Sequence, residues 1–217
     1  MRTRLEPGLR ALTVALEESV DPSAVALAAR APGERCFCFE QPDREGWALA
    51  TLGAAAAVEA SGPGRFEHAA REGRALLGSV EGEGALLVGG FAFAPDGGRS
   101  PHWGGFAPAQ LVLPQIAIRR HRRRVWATFV GPDPEALRVR LEAVLGAAMP
   151  LIDPDPVARP RVASAAPPEH YEEAVARAVE RIRAGSIEKL VLAREVRVHA
   201  PRAIDPAPVF GALRELF

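Results

Sequence analysis

The sequence holds one lysine, one tyrosine and two cysteines, and its formal net charge is zero. Each scarcity excludes something. Balanced charge, 27 basic side chains against 27 acidic, removes the general attraction to nucleic acid or to an anionic membrane. No apolar run reaches the roughly 18 residues that a membrane-spanning helix needs. Residues 1–8 are basic but lead into an amphipathic pattern and not into an apolar signal core, so cytoplasm is the expected location.

The two cysteines, Cys36 and Cys38, are one residue apart in Arg35-Cys36-Phe37-Cys38-Phe39. Strand alternation puts both on one side. They read as small buried apolar residues in preference to a redox or metal pair. No second Cys or His pair stands at zinc-finger spacing.

The scarcity of lysine is the most informative. Lys189 stands alone among 27 basic residues; the others are arginine. On an exposed surface the two are close substitutes. They are not where the group must give up its proton, because guanidinium stays charged in proteins while a buried amine can be neutral.

Along the chain, Leu9, Leu12, Leu16 and Val20 have the spacing of one helix face, which predicts a helix over 9–20. Asp21-Pro22-Ser23 opens a second helix through 29. Strands are expected over 35–40, 47–53 and 54–60, and a helix over 64–80 with Phe66, Ala69, Ala70, Leu76 and Leu77 inward. Residues 85–93 read as a buried strand, broken by Gly89 and Gly90 at a bulge or close backbone contact. A glycine-rich loop follows over 95–108. It carries Trp103, which with Phe106 reads as packing. Two further strands, 111–118 and 125–130, flank Arg119-Arg-His-Arg-Arg-Arg124. That run is a phosphate-binding candidate by composition, but as a hairpin connection it reads as exposed charge that protects strand edges. Asp133-Pro134 starts a helix to about 148.

Residues 150–168 are rich in Pro and Ala. The expected division is therefore 1–150 as an α+β subdomain, 151–167 as a connector and 168–217 as the start of a second region. A helix over 168–184 carries the stripe Tyr171, Val175, Val179 and Ile182, and Gly185 ends it. A strand is expected over 189–199, and a last helix opens at Asp205-Pro206. Its apolar positions are still in register at Phe217, and the expectation is a truncated chain. The histidines His68, His102, His121, His170 and His199 are scattered, and no phosphate loop or nucleophile elbow is present.

The segment Gly185-Ser-Ile-Glu-Lys189-Leu-Val-Leu-Ala-Arg194 is the candidate site. Leu190, Val191 and Leu192 predict that the strand start is buried. Burial favours the neutral amine, and a neutral amine is a competent general base. The alternative is a lysine that snorkels to water at a strand edge.

The stretch from Tyr171 to Arg194 resembles the chorismate-binding enzyme family. Cys36-Phe-Cys-Phe-Glu-Gln-Pro-Asp43, Gly89-Gly-Phe-Ala-Phe93, Trp103 with Phe106 and Leu111-Val-Leu-Pro114 resemble the N-terminal region of its isochorismate synthases in order and spacing. The resemblance implies an α+β fold of antiparallel sheets with outer helices, of which this chain supplies about half. It implies an isomerase that takes chorismate as substrate, adding water at C2 with loss of the C4 hydroxyl. Lys189 aligns with the residue that takes the proton from water. Salicylate synthase is a sibling reading, and a non-catalytic binding domain is an alternative of another class.

Family enzymes hold the substrate carboxylate through Mg2+. The resemblance places the magnesium ligands and the general acid beyond this chain, so the fragment is expected to be inactive alone. Glu172, Glu173 and Glu188 read as solvated charge. A half-sandwich should also leave apolar sheet surface uncovered and make the product poorly soluble.

Overall fold

A computed structural model describes residues 8–98, 103–151 and 160–216. Expectations for 1–7, His102, the rest of 99–102, the connector over 152–159 and Phe217 lie outside the described residues. In chain order the elements are β1 (Arg10–Leu16), α1 (Pro22–Ala29), β2 (Cys36–Gln41), β3 (Trp47–Leu52), β4 (Ala56–Ala60), α2 (Arg65–Gly78), β5 (Val88–Phe91), β6 (Ala109–Leu113), β7 (Ile116–His121), β8 (Arg124–Gly131), α3 (Pro134–Glu142), β9 (Arg161–Ser164), α4 (Pro168–Arg183), β10 (Val196–His199) and α5 (Pro206–Leu216). The class is α+β, with antiparallel strand pairing throughout the named sheets.

The chain divides into two units, 1–150 with 213–217, and 151–212. In the first, a five-stranded sheet has the order β1-β8-β7-β3-β2 and a three-stranded sheet the order β4-β6-β5. One face of the larger sheet, with Leu52, Ile116, Ile118, Ala127 and Phe129, packs on Val25 and Ala26 of α1 and Leu141 of α3. Each large aliphatic or aromatic side chain so buried contributes about 1.5–3 kcal/mol. A second core joins Val58 and Leu113 of the smaller sheet to Leu76 of α2 and to Leu9, Val80 and Val130.

All three Asp-Pro helix starts form, and at the last Asp205 Oδ1 accepts from the backbone N–H of Ala207 at 3.0 Å. Asp21 Oδ1 accepts from the backbone N–H groups of Ser23 and Ala24, at 3.1 and 3.0 Å. Asp133 Oδ1 accepts from Ala136 at 3.2 Å. Each satisfies donors that a helix start otherwise leaves unpaired.

Several expectations are corrected. Residues 10–16 form a strand, not a helix; β1 pairs with β8 from Arg10↔Gly131 to Leu16↔Val125. Leu12, Val14 and Leu16 pack on the first core with the two-residue period of a strand. The segment 111–118 is two strands in different sheets, because Pro114 has no N–H to continue a ladder and the chain crosses there. β5 is short and largely exposed, since β6 covers only one of its edges. On α2 the inward residues are Arg65, Ala69, Gly73 and Leu76, while Phe66 and Ala70 face outward. α3 ends at Glu142, earlier than expected, and turns follow it.

The second unit, taken by itself, contains the β9–β10 pair in antiparallel register from Val196↔Ser164 to His199↔Arg161, together with α4.

Candidate functional site

Helix α4 presents the segment that carries Lys189. Glu169 stands in its first turn and Arg181 and Arg183 in its last, each sign matched to the helix dipole. The helix ends in a two-bond cap. Gly185 takes a positive φ of 69°, its N–H donates to Ile182 at 3.0 Å, and the N–H of Ser186 donates to Arg181 at 3.0 Å. Glycine fits this left-handed position without a Cβ penalty. Ser186 Oγ adds a bond to the Arg181 carbonyl at 2.9 Å. The direction in which the chain leaves α4 is thereby fixed four residues before Lys189.

Lys189 itself is exposed, in an irregular stretch, and not at the start of a buried strand. The expectation for 189–199 is met only over Val196–His199. A strand needs a hydrogen-bonding neighbour, and β9 offers partners only from Ser164 to Arg161. Before that ladder one bond continues it, from the Ala165 N–H to the Glu195 carbonyl at 3.1 Å. Leu190 and Val191 are 48% and 80% exposed, so the described residues do not enclose the amine. The α4 stripe of Tyr171, Val175, Val179 and Ile182 is also only partly covered. Glu172, Glu173 and Glu188 are exposed, as expected.

The basic run is not a free cationic patch. Arg119 and Arg120 lie within β7. The Arg119 guanidinium lies 5.1 Å from the Trp126 ring and donates to Thr128 Oγ1 at 3.1 Å and to the Gly84 carbonyl at 3.3 Å. Burial lowers its pKa below the usual arginine value. Arg120 donates to the Val20 carbonyl. At the hairpin tip, His121 and Arg122 meet Glu45 at 2.9 and 2.7 Å, and Arg123 meets Glu18 at 2.7 Å.

Trp103 and Phe106 pack edge-to-face on each other at 6.0 Å and are 50% and 67% exposed. Among the described residues, no three His, Cys, Asp or Glu side chains converge to hold a metal ion. No described helix is long and apolar enough to cross a membrane.

The family model described as "Chorismate binding enzyme" matches residues 2–217. The salicylate biosynthesis isochorismate synthase of Pseudomonas aeruginosa is 32% identical over 191 residues, covering 82% of this chain and 39% of that protein. The structure of MenF, the menaquinone-specific isochorismate synthase of Escherichia coli, matches with a TM-score of 0.61 at 18% identity, over 100% of this chain and 47% of that one. The chain thus spans less than half the length of these two relatives. Its antiparallel sheets and flanking helices are those of the chorismate-binding fold, and the chain belongs to the chorismate-binding enzyme family.

Proposed function

We propose that this chain is the base-bearing N-terminal part of an isochorismate synthase, and that Lys189 is the base. The observation that carries the reading is the family match running through the Gly185–Arg194 segment, with the only lysine of the sequence inside it. In the proposed step, the Lys189 amine takes a proton from water as the water oxygen bonds to C2 of chorismate. The ring double bonds shift and the C4 hydroxyl leaves as water, so the product is an isomer of the substrate. Arginine, the residue this sequence uses everywhere else, cannot accept that proton. Mg2+ belongs to the reaction as family chemistry, but this chain's described residues offer it no ligand set, and the proposal assigns its ligands and the general acid to residues outside the chain. A low-dielectric wall around the amine would likewise have to come from other residues.

The test is direct. The purified 217-residue chain, incubated with chorismate and Mg2+, should form no isochorismate, and isothermal titration should detect no tight Mg2+ binding. Isochorismate formation by the chain alone would overturn the division of roles. In a longer protein that turns over, release of pyruvate with salicylate would identify the sibling salicylate synthase activity, and isochorismate alone the synthase. Chorismate binding by a longer protein that shows no turnover would favour a non-catalytic binding domain.

A further inference from the structure

We infer that residues 188–194, the segment that carries Lys189, become a β-strand only when a strand from the rest of a longer synthase pairs with them; the inference rests on the reading of Lys189 as the base. In the second unit β10 pairs with β9 along one edge, and the two make a sheet of two strands. The other edge of β10 has no strand beside it among the described residues. Upstream of Val196 the chain is irregular, and no described residue exchanges a backbone hydrogen bond with 188–194. Its composition nonetheless favours a strand, with the run Leu190-Val191-Leu192 at its centre.

β9 cannot supply the missing neighbour. The N–H of Ala165 makes the last bond, to the Glu195 carbonyl at 3.1 Å. Pro167 and Pro168 follow, as the cap and first residue of α4. Proline has no N–H to give a ladder, and at Pro168 the backbone turns into the helix. The far edge is different. Successive residues of a strand turn their N–H and C=O groups to opposite edges. The Glu195 carbonyl faces β9, so Val196 and Val198 face the open edge. In a strand continued upstream, Leu190, Leu192 and Arg194 face it too.

An open edge of this kind takes an added strand through main-chain hydrogen bonds. The side chains around it are also uncovered. Val162, Val196 and Val198 are exposed, while the buried apolar side chains of this unit, among the described residues, are Ala178 and Ala207. The occupant is a strand of the same longer chain. This chain matches 39% and 47% of its two relatives, so more than half of each lies outside the match. A strand on the same chain meets the edge at high effective concentration, which a second copy in dilute solution does not. Pairing would put Lys189 on one face with Val191 and Ala193 and give its amine a single direction. The added strand is thus a positioning element for the base.

Hydrogen exchange read by mass spectrometry tests this by comparing the 217-residue chain with a full-length synthase carrying this sequence. Peptides over 188–194 should exchange freely in the 217-residue chain and about 100-fold or more slowly in the longer protein. In the longer protein Leu192→Pro, which removes an N–H on the open edge, should abolish that protection, and Leu192→Ala, which keeps the N–H, should retain it. Unchanged protection of β7 and β8 shows that both variants are folded. Free exchange of 188–194 in the longer protein would overturn the inference. Protection already present in the 217-residue chain would do the same, and if it rises with concentration the occupant is a second copy. The readout is separate from turnover. Protection of 188–194 together with near-parental kcat in Lys189→Ala would remove the base and keep the strand; free exchange together with loss of kcat in that variant would remove the strand and keep the base.

Discussion

Arg140 of α3 and Glu34 of the loop before β2 form a two-point ion pair, with Nη1 2.9 Å from Oε1 and Nη2 2.6 Å from Oε2. The Glu34 side chain is only 13% exposed. Arg140 also donates to the Ala29 carbonyl at the end of α1. One guanidinium therefore ties α1, α3 and the approach to the edge strand together.

This pair should make stability depend on pH in a defined direction. The hydrogen bond from Arg140 holds the Glu34 carboxyl below its usual pKa, against the opposing effect of burial. A carboxylate depressed on folding contributes stability above its unfolded pKa, about 4.3. That stability is lost as pH falls through the folded value. Glu34→Gln should therefore cost about 1.5–3 kcal/mol at pH 7, the range for hydrogen bonds to a charged group. The gap to the parent should close below about pH 4. Urea unfolding followed by tryptophan fluorescence measures it, since Trp47, Trp103 and Trp126 all belong to the first unit. A gap that persists at low pH would contradict the pair's role.

Neighbouring glycines in β5 should behave oppositely. A Cβ on Gly89 would sit 1.9 Å from the Gln110 carbonyl oxygen, whereas one on Gly90 meets nothing within 4 Å. The Gln110 atom is backbone and cannot swing aside. Gly89→Ala should destabilise the first unit by about 2–3 kcal/mol through strand displacement. Gly90→Ala should stay within about 0.5 kcal/mol of the parent. Equal effects in urea unfolding would show that the β5–β6 approach is not as close as described.

The arginine run should not bind nucleic acid. His121, Arg122 and Arg123 are already met by Glu45 and Glu18, while Arg119 and Arg120 bond within the fold. Fluorescence anisotropy with duplex DNA and single-stranded RNA at low salt should register no saturable binding. Saturable binding with a steep salt dependence would reverse this.

What was legible in the sequence follows from where the forces act. The Asp21-Pro22 and Asp133-Pro134 starts are local chemistry and were readable residue by residue. Gly89 and Gly90 read as a bulge or a close backbone contact, and the structure supplies such a contact at Gly89, on Gln110, but none at Gly90. β1 was misread because Leu9, Leu12, Leu16 and Val20 fall at helical spacing. The competing signal was Leu12-Val14-Leu16, a two-residue period around a β-branched pair, Thr13 and Val14. The ladder to β8, more than a hundred residues away in sequence, decided between them. The setting of Lys189 was illegible for a related reason. The run Leu190-Val-Leu192 states that a buried strand is favourable, but not which neighbour supplies the second edge, and among the described residues that ladder begins only at Val196.

The most direct test of the account is substitution of the lone lysine in a full-length synthase carrying this sequence. Lys189→Ala and Lys189→Arg should each lower kcat for isochorismate formation by about 10²–10⁴-fold, the contribution of a positioned general base. Chorismate affinity and the far-ultraviolet circular dichroism should be unchanged. Arginine should fail to rescue because its guanidinium cannot take the proton from water. Near-parental kcat in either variant would contradict the assignment of Lys189 as the base.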